Sequence, residues 1–184
     1  LFEPMLKTIV AGKRGTRPEA VDVTLVGHHC MCMQIFQEGA LAPGIPYYLK
    51  VEENGRDITA ELDVDKDLWA EVPARMPLLS EVNQQCVAAS ALQVIKAMLY
   101  DAGALLHAPG PEGLPAGCPV WVDASGARAV PPPGLGRERM LEIMYGANRC
   151  EGFEPTGPDG AARATEHCIR VVEEVFGIDW RYKE

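Results

Sequence analysis

Gly27-His28-His29-Cys30-Met31-Cys32-Met33 puts two of the four histidines and two of the six cysteines of the chain within five residues. Neutral imidazoles and thiolates are the ligands zinc and copper prefer. A thiol beside an imidazole can also be activated as a nucleophile. Two kinds of chemistry are therefore open here: a metal site drawing on His28, His29, Cys30 and Cys32, or a poised thiolate at Cys30 with His29 as its partner.

The spacing limits the first option. Structural zinc sites use roughly two to four residues between paired cysteines, whereas one residue separates Cys30 from Cys32. In a helix the two sulfurs would diverge by about 200°; in a strand they would share a face while His29 points the other way. Two or three ligands at most can come from this segment. The rest must come from afar, with Cys150, His167 and Cys168 as candidates. For the second option, Cys30 should stand near the first amides of a helix, where the dipole and an imidazolium neighbour lower a thiol's pKa.

A second thiol is Cys86, in Asn83-Gln84-Gln85-Cys86-Val87-Ala88-Ala89-Ser90. With Asn83 as the cap, Cys86 would fall in a first helical turn. A glutamine just before a cysteine that opens an Ala-rich helix resembles the papain-like thiol hydrolases. That likeness covers about ten residues and implies a glutamine-assisted oxyanion site, with His107 and Asp123 following in the order the family needs. The His/Cys opening at 28–30, with Cys86 leading into Leu92-Gln93-Val94-Ile95, is similar to the E-type chains of formylmethanofuran dehydrogenase, a family that implies a metal site. This chain has Gly-His-His-Cys where that family has His-Gly-His, and lacks its Cys-Pro-Gly.

These residues need a frame. Phe2, Leu6, Ile9 and Val10 predict a helix over 2–11 ended by Gly12. Val21–Val26 alternates as a strand and brings Gly27 to a strand's carboxyl end, where ligand loops gather in α/β folds. Met31–Glu38 follows as a helix, closed by Gly39. Tyr47–Glu52 reads as a strand, Asn54-Gly55 as a hairpin turn, and Ile58–Leu62 as its return. Asp63, Asp65 and Asp67 lack the glycine and glutamate of a calcium loop and read as an acidic turn before a short helix at Lys66–Ala70.

The longest expected element is a helix from Ser80 to Asp101. Its apolar residues, from Val82 to Leu99, predict a central and mostly buried position. Strands are expected at Ala104–His107 and Pro119–Asp123, with a turn at Ser125-Gly126 and a return over Ala127–Val130. Helices at about Glu138–Ala147 and Ala161–Phe176 complete the chain, and Trp180 and Tyr182 in its tail would dock on the body or on a neighbouring subunit.

Composition bounds the rest. A net charge of −9 argues against a nucleic-acid backbone as partner. No apolar run reaches the roughly 20 residues that span a bilayer; no basic stretch followed by an apolar one opens the sequence, and with Leu in place of Met at position 1 a removed upstream signal stays open. Free thiols in apolar settings point to the cytoplasm. The expectation is one domain over 1–184, a mixed α/β fold with one partly antiparallel sheet covered by three or four helices. Its function would be that of a small enzyme or enzyme subunit. It would bind zinc or another transition metal, or use a thiolate on a small acyl, amide or redox substrate. The alternative is a non-catalytic subunit or assembly module, in a homo- or hetero-oligomer, whose cysteines are core packing. A thiol hydrolase using Cys86 is the second alternative.

Overall fold

The computed structural model describes residues 2–75, 81–155 and 160–179, with the backbone alone at 81–83. The chain opens with helix α1 (Phe2–Arg14), which buries Phe2, Met5, Leu6, Ile9, Val10 and Ala11. Burying each of the larger ones contributes about 1.5–3 kcal/mol. Its last turn carries Lys13 and Arg14, which suits the negative end of the helix dipole. Both are paired, Lys13 with Asp67 and Glu71 and Arg14 with Glu53 and Glu61.

Strand β1 (Val21–Val26) and helix α2 (His29–Glu38) follow, with Gly39 in the left-handed conformation closing α2 as expected. β1 pairs antiparallel with β2 (Tyr48–Glu53), Val21 opposite Glu53. The Asn54-Gly55 turn is present, both residues having positive φ, and returns into the two-residue strand β3 (Arg56–Asp57). The return is shorter than expected because Thr59–Glu61 turns into a 3-10 helix. Asp63 caps the short helix α3 (Val64–Asp67) by accepting from the Lys66 N–H. A second short helix, α4 (Val72–Arg75), closes this half.

Helix α5 (Glu81–Leu99) leads to β4 (Ala104–Pro109), β5 (Gly117–Asp123) and β6 (Gly126–Ala129), an antiparallel meander. Helix α6 (Arg137–Cys150) packs on it. Helix α7 (Glu166–Phe176) begins at a Thr165 cap, five residues later than the pattern predicts. The expected Ser80 cap and the Trp180–Tyr182 tail lie outside the described residues.

The mixed α/β class holds. Its strands form two three-stranded sheets, β1-β2-β3 and β4-β5-β6, in place of one. They meet where Gly27 and Gly117 exchange backbone hydrogen bonds of 3.1 and 2.9 Å. Each sheet has its own core. One gathers α1, α2, β1 and the stacked rings of Phe2 and Phe36; the other gathers β5 and α6.

α5 departs most from expectation. Among its described side chains only Ala97 is buried, while Val87, Leu92, Ile95, Met98 and Leu99 are exposed. Its seven polar residues are spread around the axis and not gathered on one face, so no polar stripe fixes which side meets the body. No helix among the described residues is long and apolar enough to cross a membrane.

Candidate active site

The turn between β1 and α2 carries the site. β1 stops at Val26, Gly27 makes the bridge to Gly117, and His28 takes the extended cap position before α2. An added Cβ at Gly27 would lie 2.7 Å from the Met31 sulfur, so this glycine lets α2 fold close over the strand end. His28 is buried and His29 exposed.

Both turn to one carboxylate. Glu151, just past the end of α6, lies 2.8 Å from His28 Nδ1 through Oε2 and 3.1 Å from His29 Nδ1 through Oε1. A carboxylate can only accept, so this contact is a hydrogen bond only in the form of His28 that carries a proton on Nδ1. The Cys30 N–H also approaches that nitrogen, at 3.4 Å. One nitrogen cannot do both: unprotonated, Nδ1 accepts from the Cys30 N–H as the cap of α2; protonated, it donates to Glu151. In the second form of the neutral ring, Nε2 bears the lone pair. It has no partner among the described residues and is not sealed off.

His28 and His29 line a cleft of about 590 Å³ between α2, α5 and the start of β5. Its walls are mostly apolar, with Phe2, Leu25, Met31, Phe36 and Val94 among them, and no Lys, Arg, Asp or Glu among the described residues lines it. The third histidine in the cleft is His107, on β4. Its Nε2 lies 3.0 Å from the Leu25 carbonyl, to which it donates, across 82 residues. Burial pushes its pKa down to about 4, so the ring is neutral and Nδ1 is an acceptor at pH 7. Leu25 is held from both sides, since its backbone also hydrogen-bonds the Glu3 carboxyl. Burial nonetheless lifts Glu3 to about 7.

The thiols take other places. Because α2 is helical from His29, Cys30 and Cys32 diverge. Cys30 points into the first core and donates to the Ala147 carbonyl at 3.6 Å. Burial first, then the Glu151 charge, pushes its pKa up to about 11. Cys32 lines the cleft, and burial pushes it up to about 11 as well. Burial, and then the carboxylate beside His28, both disfavour negative charge on the Cys30 sulfur.

The metal site is corrected. Among the described residues no three His, Cys, Asp or Glu side chains are grouped so as to hold a metal ion. His28 and His29 spend their Nδ1 atoms on Glu151, and the sulfurs of Cys30 and Cys32 face different surroundings. Of the distant ligands expected, Cys150 and His167 are exposed, and Cys168 packs against Gly152, where an added Cβ would meet its sulfur at 2.9 Å.

Cys86 sits in the second turn of α5 and lines a neighbouring cleft of about 520 Å³. The triad it would need is not assembled. His107 is committed to Leu25, and Asp123 binds the Trp121 indole at 2.7 Å together with Ser125 and Arg128. Cys118 is buried in the second core.

Sequence reading misses Glu151 and His107. Cys150, next to Glu151, draws attention for its sulfur instead. His107 enters only as a partner for Cys86; its strand position opposite a Pro-Gly-rich return is the available signal.

No protein-family model matches the chain, and no curated protein matches it in sequence. Among solved structures it is similar to a malate dehydrogenase from Plasmodium falciparum, at 14% identity over 80% of this chain and a TM-score of 0.47. It is also similar to a minor L-lactate dehydrogenase from Enterococcus mundtii, at 15% identity over 81% and a TM-score of 0.49. The chain spans about half the length of each, 50% in both cases.

Proposed function

We propose that the cleft is the active site of an enzyme in which His28, oriented by Glu151, takes a proton from a small, mainly apolar substrate or from water attacking it. The single observation that carries this reading is the 2.8 Å contact between a carboxylate and Nδ1 of a buried histidine on the cleft wall. That contact selects the tautomer whose Nε2 accepts, and it stabilises the imidazolium that forms when the proton arrives. Apolar walls exclude water and strengthen the charge interaction. Cys30 and Cys32, both pushed up to about 11, supply no thiolate at neutral pH, and Ser90, also in the cleft, spends its hydroxyl proton on the Cys86 carbonyl at 2.9 Å. General-base chemistry remains the role these residues fit.

The test uses 5-nitrobenzisoxazole, an uncharged aromatic whose ring opens, with a visible product, when a base removes its C–H proton. Saturable turnover is expected, falling at least about 100-fold in His28→Phe and at least about tenfold in Glu151→Gln. Turnover unchanged in His28→Phe, or no saturable turnover at all, overturns the reading.

A second reading, an assembly module, has its own observation. The exposed apolar surface of α5 carries Lys96 as its only charge between Gln84 and Leu99, on a chain of net charge −9. Two copies could approach there without repulsion. Sedimentation equilibrium of the wild type and of Leu99→Lys tests it, with loss of self-association in the variant as the expected outcome.

A further inference from the structure

We infer that His107 is a positioning residue, and that the cleft takes an uncharged, mainly apolar molecule bearing a hydrogen-bond donor (an alcohol, phenol or amide) which its Nδ1 accepts. This rests on the same cleft as the proton-transfer reading, but it concerns binding and not turnover.

The geometry starts at the Gly27–Gly117 bridge. His28 directly follows Gly27, and the His107 ring lies over Gly117, where an added Cβ would come within 2.7 Å of its Cε1. One backbone bridge thus sets both imidazoles against the same cleft. Gly117 provides the seat, and the Leu25 carbonyl, 3.0 Å from Nε2, fixes which nitrogen carries the proton. Nδ1 is left with a lone pair and no partner among the described residues, and it is not sealed from solvent. In an apolar cleft such an acceptor favours a ligand that can donate to it, because a ligand that cannot leaves it desolvated and unpaired.

Charge narrows the class further. No Lys or Arg among the described residues lines the cleft, so a carboxylate or phosphate would lose its hydration with no cation to receive it. The two imidazoles divide the work: His107 holds a donor group, and His28 faces the proton to be moved.

Three naphthalene probes at pH 7 test this by calorimetry: 2-naphthol, 2-methoxynaphthalene and 2-naphthoate. The wild type should bind 2-naphthol about 3- to 10-fold more tightly than the methyl ether, and 2-naphthoate more weakly than either. His107→Phe should bring the naphthol-to-ether ratio to about one. Nitrogen NMR on the wild type gives a second measure: the His107 Nδ1 resonance should move with 2-naphthol and stay with the ether. Equal binding of the two neutral probes, no binding of either, a ratio that survives in His107→Phe, or tighter binding of the naphthoate each overturns the inference. Turnover of 5-nitrobenzisoxazole and the naphthol-to-ether ratio are separate readouts, so failures of the two proposals are told apart.

Discussion

The cleft has two walls, and their histidines meet opposite partners. On the α2 wall, His28 sets Nδ1 2.8 Å from a carboxylate and keeps Nε2 open. On the β4–β5 wall, His107 donates from Nε2 to a backbone carbonyl and keeps Nδ1 open. In the proposed reading the same side chain serves as a base where a negative charge awaits the proton, and as a fixed neutral acceptor where only a peptide dipole does. What distinguishes the roles is the group behind each ring and not the ring itself.

The largest effect that would sharpen this contrast lies in pH. A buried neutral histidine is protonated in the unfolded chain below its ordinary value of 6.5, while the folded ring holds out to about 4. His107 therefore costs stability as pH falls from 6.5 to 4, by up to about 3 kcal/mol. Glu3, on the other side of Leu25, works in reverse. Its folded value of about 7 lies above the ordinary 4.5, so its contribution is fully present below 4.5 and is lost as pH rises to 7, again by up to about 3 kcal/mol. The two slopes oppose each other between pH 4.5 and 6.5. Urea unfolding across that range should show His107→Phe losing stability with rising pH and Glu3→Gln losing it with falling pH. Parallel slopes in the two variants would break the comparison.

A smaller effect lies in the two bridge glycines. An added Cβ meets a neighbour at 2.7 Å in both. At Gly117 the neighbour is the His107 ring, pinned by Leu25; at Gly27 it is the flexible end of Met31. Gly117→Ala should destabilise by about 2 kcal/mol and Gly27→Ala by less than about 1 kcal/mol, read from denaturation midpoints. Equal losses would show that the His107 ring is free to move.

The smallest effect concerns the thiol in the cleft. Cys32→Ser should leave the turnover of 5-nitrobenzisoxazole within about twofold of wild type, because a thiol with a pKa of about 11 is protonated at neutral pH. A large loss would return a sulfur to the mechanism.

Local chemistry is legible in the sequence. Alternation marks β1, glycine ends α2, Asn54-Gly55 makes its turn and Asp63 its cap, since each depends on neighbours a few residues away. The segment 27–33 also stands out, because its histidines and cysteines are unusual wherever they lie. Its contacts, however, join imidazole to carboxylate. The partner that makes them, Glu151, stands 122 residues from His29, and nothing in its neighbours marks it out until α6 packs beside α2.

The sequence by itself determined the strand, the glycine and the pair of histidines that leave it, because φ/ψ preference and hydrophobic period act over a few residues. Only the tertiary structure decided which partner each imidazole nitrogen meets, that burial holds the Cys30 and Cys32 sulfurs protonated, and that α5 lies exposed although 12 of its 19 residues are apolar. Those outcomes depend on desolvation and on a single hydrogen-bond partner per atom, and both are set by chain segments that meet only after folding.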